Sequence, residues 1–151
     1  MTMARQADVG AKERLHRTAV VVGELALSAP TRRAVRAGRV AKGDPIGAGE
    51  MAGLLAMKRT PDLIPHCHVV PLSASEVELS VSTRGVRVRA QAEAVDRTGV
   101  EMEALVGATV ALLTVWDMVK YLEKNDRGLY PRTSLGPIRV AAKRKRRLRR
   151  T

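Results

Sequence analysis

The chain reads as an α+β domain, an antiparallel sheet with helices on one face, and three observations predict it. A Val-rich run, His16–Leu27 (HRTAVVVGELAL), has the composition of a strand. Two alternating runs, Val77–Val81 and Val86–Val95, flank the turn residues STRG as the arms of a hairpin would. Helical patterns lie between and after these runs, the longest at Val100–Lys124. The order of strand, helices, hairpin, long helix and final strand matches the split β-α-β arrangement of ferredoxin-like domains.

Residues 1–16 read as an irregular N-terminal segment, either poorly ordered or docked on the domain. After the first strand, Ser28 has the chemistry of an N-cap, Pro30 suits a first turn, and Gly38 supplies the stop. Lys42–Gly49 (KGDPIGAG) holds three glycines and a proline in eight residues, which predicts a turn. Glu50–Lys58 (EMAGLLAMK) then reads as helix, with Met51, Leu54, Leu55 and Met57 on its apolar side. Thr60-Pro61-Asp62 either restarts a helix or turns the chain, and Pro65 ends it. Val69–Leu72 reads as a short extended piece, Asn125–Pro137 as a loop, and Ile138–Ala142 (IRVAA) as the last strand.

At 151 residues the chain fits one domain, with 45% apolar residues to build a core. It has no Phe, one Trp and two Tyr, so that core must come from aliphatic side chains. The lone Cys67 excludes an intramolecular disulfide. No uninterrupted apolar run has the length of a membrane span, and the start lacks the apolar stretch of a signal peptide. A cytoplasmic protein with no membrane partner is expected. The scarcity of Asn, Gln and Cys beside 20 Arg hints at a heat-adapted source.

The net charge of +12 points first to nucleic acid. Its distribution weakens that reading. Lys143–Arg150 (KRKRRLRR) carries seven of the 27 basic residues, so 20 remain against 15 acidic ones elsewhere. A single domain over 1–143 with a disordered basic tail over 144–151 is therefore expected. A basic nucleic-acid-binding module on the same fold is the alternative. It lacks aromatic residues on the predicted strands with which to stack bases.

The stretch TVWDMVKYL (Thr114–Leu122) raises the functional question. Between Ala104 and Val115 the long helix is apolar nearly all round, with only Thr109 and Thr114 as exceptions. One face suffices to cover a sheet, so the other needs a partner, most simply a second copy of the chain. On the helical wheel Glu103 and Asp117 lie within about 40° of each other, and Lys120 about 60° further round. Along the axis the two acids are about 21 Å apart, too far for one small site on one chain. Two antiparallel copies would bring Glu103 of one toward Asp117 of the other.

Other motifs are weaker alone. His66-Cys67-His68 cannot close a tetrahedral metal site from three adjacent residues, so no metal centre is expected. Lys58-Arg59-Thr60 offers cations at a helix end but no Walker pattern. Glu101 and Glu103 suit the first turn of a helix through its dipole.

In combination these blocks are specific. Lys42-Gly43-Asp44, AGLLAMKRTPDLIPHCH (Ala52–His68), TGVEMEAL (Thr98–Leu105), DMVK (Asp117–Lys120) and GPIRVAAK (Gly136–Lys143) occur in this order. Together they resemble the molybdenum cofactor biosynthesis protein C family, the cyclic pyranopterin monophosphate synthases, from about Asp8 to Lys143. The resemblance implies a ferredoxin-like subunit in a hexamer, a trimer of dimers with active sites at the dimer interface. It implies a lyase that converts 3′,8-cyclo-7,8-dihydroguanosine triphosphate to cyclic pyranopterin monophosphate and expels pyrophosphate. It assigns acid–base roles to Lys42 and Lys120, with Asp117 positioning Lys120. His68, Glu101, Met102 and Glu103 match pocket residues, and Arg17 and Lys58 match anion-binding positions. No cofactor is implied, although a magnesium ion can accompany the triphosphate.

Those residue types suit the chemistry. Lys and Arg hold phosphates, and glutamates accept hydrogen bonds from guanine-derived N–H groups. Lysines lowered in pKa by burial can move protons repeatedly, whereas Asp117 would hold Lys120 charged. The sequence leaves that competition open. Val69 and His66 depart from the family pattern, and the loop Asn125–Leu135 is longer than in many members.

Overall fold

The computed structural model describes residues 3–148. Eight elements follow in order: β1 (Leu15–Ala26), α1 (Ala29–Arg36), α2 (Pro45–Met57), α3 (Thr60–Leu63), β2 (Ala74–Val81), β3 (Gly85–Asp96), α4 (Glu101–Glu123) and β4 (Ser134–Arg146). The strands form one antiparallel sheet in the order β2-β3-β1-β4. This is the ferredoxin-like topology, in which the first strand ends up between the third and the fourth.

Alternation decides which face is covered. Ala19, Val21 and Leu25 of β1 and Val86, Val88, Ala90, Ala92 and Ala94 of β3 are buried toward the helices. Against them α4 lays Ala104, Ala108, Ala111, Leu112, Val115 and Val119, all buried. The alanines of β3 and α4 let helix and sheet approach closely where aromatic residues are missing. α4 has the length and mean hydropathy of a bilayer-crossing helix, which no uninterrupted apolar run in the sequence suggested. Its inner side is instead the core of this domain, and Asp117 and Lys120 stand on its outer side.

Two elements differ from the sequence reading. α2 begins at Pro45, five residues before the predicted Glu50. The Asp44 carboxylate accepts the Ile46 N–H at 3.0 Å and Pro45 occupies the first turn, so the turn-rich string starts the helix instead of preceding it. Two of the three glycines in α2, Gly49 and Gly53, are packing residues. A Cβ on Gly53 would lie 2.8 Å from the Gly107 carbonyl oxygen, and one on Gly49 would lie 3.0 Å from that of Ala111. α2 therefore runs antiparallel to α4 at backbone contact distance.

β4 also extends beyond the predicted Ile138–Ala142, from Ser134 to Arg146. Part of the expected free tail is thus strand: Arg144 pairs with Thr18, Lys145 with Arg17 and Arg146 with His16. β1 is long enough to template these residues, and charge on an edge strand is tolerated because its outer side faces water. Arg147 and Leu148 follow the strand without belonging to it, and the rest of the expected tail, 149–151, lies outside the described residues. The piece Val69–Leu72 is not in the sheet, whereas Thr60-Pro61-Asp62 does restart a short helix, α3.

Candidate functional site

α4 carries candidate site residues at both ends, and the rest of the fold delivers partners to each. At its N-terminal end Glu101, Met102 and Glu103 form the first turn. Glu103 is 4% exposed, and burial pushes its carboxyl up, reinforced by the charges of Glu101 and Asp96. Burial would raise Glu101 too, but a hydrogen bond from Lys143, its own backbone N–H and the charges of Lys143 and Arg17 carry it below the usual range. The Lys143 Nζ lies 3.0 Å from Glu101 Oε1. Two adjacent carboxyls are thus driven apart, one toward its protonated form and one toward its ionised form.

Arg17 reaches this end from β1. It donates to the carbonyls of Asp96 and Arg97, both at 3.0 Å, which fixes the guanidinium beside the β3–α4 junction. A cavity of about 210 Å³ opens here, bounded by Arg17, Gly99, Glu101 and Lys143. The segment after α3 arrives at the same end. Cys67 is close enough to Glu103 that burial and that carboxylate together raise its thiol. His68 donates Nε2–H to the Ala7 carbonyl at 2.7 Å, and His66 donates to that of Arg5 at 2.8 Å. The Gln6 amide donates to the Cys67 carbonyl at 2.8 Å, so the N-terminal segment is docked along this stretch. Lys58 caps the C-terminal end of α2, which the antiparallel packing places toward this same end of α4.

At the C-terminal end of α4 the arrangement is compact. Asp117 Oδ1 lies 2.7 Å from Lys120 Nζ, and Oδ2 lies 3.1 Å from Lys42 Nζ. Lys42 donates also to the Asp117 carbonyl at 2.9 Å. Hydrogen bonds from Lys120 and then Lys42 hold the Asp117 carboxyl below its ordinary value. The reciprocal bond from Asp117 raises Lys120. Within one chain the competition left open above goes to the carboxylate: Lys120 is half exposed and charged, not desolvated and neutral.

Two residues here were not singled out from the sequence. Tyr121 Oη accepts the Ala41 N–H at 2.7 Å and so ties the loop carrying Lys42 to α4. Lys143, the last residue of the GPIRVAAK block, pairs with Glu101. Adjacency to Lys120 for the one and membership of a quoted block for the other were the only signals. Trp116 and Tyr130 pack edge to face at 5.8 Å, seating the long loop against α4 beside Lys120.

The two ends are not brought together within the chain. Asp117, Lys120 and Lys42 form one cluster, and Arg17, His68, Glu101, Met102 and Glu103 gather at the other, about 21 Å along the helix. Between and around them the outer side of the α2–α4 pair stays uncovered, with Met51, Leu55, Met102, Leu113 and Tyr121 exposed.

The sequence pattern of the MoaC family matches residues 6–145. A relative from Aeropyrum pernix is 48% identical over 145 residues, covering 96% of this chain and 99% of its own length. One from Sulfurisphaera tokodaii is 46% identical over 143 residues, covering 95% of each chain. One from Archaeoglobus fulgidus is 45% identical over 139 residues, covering 92% of this chain and 89% of its own. All three carry the name probable cyclic pyranopterin monophosphate synthase. With the sequence matched across both clusters and all but the last residue of the sheet, the chain belongs to the MoaC family.

Proposed function

We propose that this chain is a cyclic pyranopterin monophosphate synthase, a lyase of molybdenum cofactor biosynthesis acting in the cytoplasm. Its substrate is 3′,8-cyclo-7,8-dihydroguanosine 5′-triphosphate, which it rearranges to the pyranopterin. A sugar hydroxyl closes the cyclic phosphate by attack on the α-phosphorus. The bond to pyrophosphate breaks, and the hydroxyl proton passes to a base. The sequence is redox-neutral, and a magnesium ion can travel with the triphosphate.

The observation that carries this reading is the separation of two complementary clusters by an uncovered apolar helix face. Lys42, Asp117 and Lys120 at one end supply proton donors and acceptors. Glu101, Glu103 and His68 at the other suit the N–H groups of the guanine-derived ring, and Arg17 and Lys58 suit its phosphates. Two copies packed antiparallel through α2 and α4 would join each cluster to its complement and cover Leu113, Met51 and Leu55. Three such dimers would make the expected hexamer.

The charged state of Lys120 assigns its first role. A lysine that Asp117 holds protonated begins as a general acid and becomes a base only after giving up that proton. Lys42, on the other oxygen of the same carboxylate, is placed for the reciprocal transfer.

The deciding assay supplies the cyclised triphosphate to the assembled protein and measures pyranopterin and pyrophosphate together. Equimolar formation of both is expected. Absence of both from folded, assembled protein would overturn the assignment.

A further inference from the structure

The basic end of the chain does not hang free. β4 carries residues 143–146 along β1, and a strand fixes the face from which each side chain leaves. Arg144 stands opposite Thr18 and Arg146 opposite His16. Thr18 and His16 alternate with buried Ala19, so all four project from the sheet face that no helix covers. Arg89 of β3, opposite Val22, rises from that same face.

A cleft of about 520 Å³ lies between these arginines. Its floor is a hydrogen-bonded row. Arg89 donates to Gln91 Oε1 at 2.8 Å, Gln91 donates to Glu93 Oε1 at 2.7 Å, and Glu93 pairs with His16 at 3.2 Å. Arg89 also lies 3.5 Å from Glu76 at the far edge. Arg144 and Arg146 pair with no carboxylate among the described residues. The cleft therefore retains a net positive charge on a rigid, twisted sheet.

Its dimensions select among anions. Arg144 and Arg146 leave one strand about 7 Å apart, and Arg89 stands two strands over and four residues further along than Arg144, about 16 Å from it backbone to backbone, a gap that extended arginine side chains narrow to a few ångströms. One orthophosphate is too small to engage both walls. Linked phosphates can bridge them, and planar guanidinium groups bind phosphate oxygens in pairs. We infer that this cleft on the open sheet face binds a short polyphosphate anion, a diphosphate or triphosphate, held by Arg144 and Arg146 on one side and Arg89 on the other. It adjoins the Arg17–Glu101 cavity, with which it shares Thr18, Lys143 and Arg144. A role in releasing pyrophosphate rests on the reaction proposed above, whereas the binding itself does not.

Titration calorimetry of the intact protein with inorganic pyrophosphate, and separately with orthophosphate, tests this. Pyrophosphate should bind at least about tenfold more tightly than orthophosphate. Arg89→Ala, and independently Arg144→Ala with Arg146→Ala, should each weaken it by about tenfold or more while thermal unfolding stays unchanged. Lys58→Ala should leave this binding event in place. Equal affinity for the two anions would overturn the assignment. So would pyrophosphate binding that survives both arginine variants, or that disappears only with Lys58→Ala. Because no turnover is measured, failure here leaves the proposed reaction standing, and an inactive enzyme leaves this cleft standing.

Discussion

Asp117 holds two lysines at once, Lys120 Nζ at 2.7 Å from one carboxylate oxygen and Lys42 Nζ at 3.1 Å from the other. One residue is on the same helix, three positions away; the other comes from a loop 75 positions earlier in the chain. The carboxylate sets both their separation and the protonation of Lys120. That coupling makes the site's pH dependence predictable in sign.

Asp117→Asn removes the charge that raises Lys120 and keeps the side chain's size. The Lys120 pKa should fall, so Lys120 loses its proton at lower pH than in the wild type. If turnover needs protonated Lys120, the alkaline limb of the kcat profile shifts toward lower pH, and the loss of the carboxylate that positions Lys120 and Lys42 lowers kcat about 10- to 100-fold independently of pH. A profile with an unmoved alkaline limb would remove Asp117 from this role.

A site shared between copies makes a different demand. Lys120→Ala and Glu103→Gln should each abolish activity as pure proteins. Co-assembled in equal amounts, they regenerate one intact site in each mixed dimer. Activity should return to about one quarter of wild type by random pairing. No recovery in oligomers shown to be mixed would place each site within a single chain.

Tyr121 acts through Lys42. Its phenol oxygen accepts the Ala41 N–H at 2.7 Å, while Gly43, one residue beyond Lys42, adopts the left-handed conformation at φ 102°. Tyr121→Phe frees the loop on its α4 side but preserves the ring. A drop of about tenfold in kcat with little change in KM is expected, since a small displacement of a reacting group costs that much. Equal changes in both constants would indicate a binding role instead.

Glu123 is a structural counterpart to these acids. It is 8% exposed and accepts the Ser28 N–H at 3.0 Å and the hydroxyls of Ser28 and Thr133, both at 2.6 Å. Burial would raise its pKa, but these hydrogen bonds carry it below the ordinary value. Its contribution to stability is thus complete above the unfolded carboxyl pKa and lost as pH falls through the lower folded value. Glu123→Gln should destabilise by about 1–3 kcal/mol at neutral pH, because donors then face an amide. Urea unfolding of the two proteins should converge in strongly acidic buffer.

Much of the fold was legible because the period of the apolar residues differs between strand and helix. The hairpin, β1 and α4 all stand where alternation or helical spacing placed them. The start of α2 was hidden because glycine reads as a breaker in isolation. Gly49 is compatible with helix once α4 lies at backbone distance, a contact no local window contains. The end of β4 was hidden for a related reason. Consecutive cations suggest a solvated tail, and only the length of β1 beside them makes the strand.

The site divides in the same way. By itself the sequence determined which residue types were available and their blocks, and so the resemblance to one family. It also put Asp117 and Lys120 on one helix face. Only the tertiary structure decided that Lys42 completes their cluster, that Lys143 pairs with Glu101, and that Glu101 and Glu103 shift in opposite directions. Helical spacing is a local property of the chain. Ion pairing and burial depend on what the rest of the chain brings within a few ångströms.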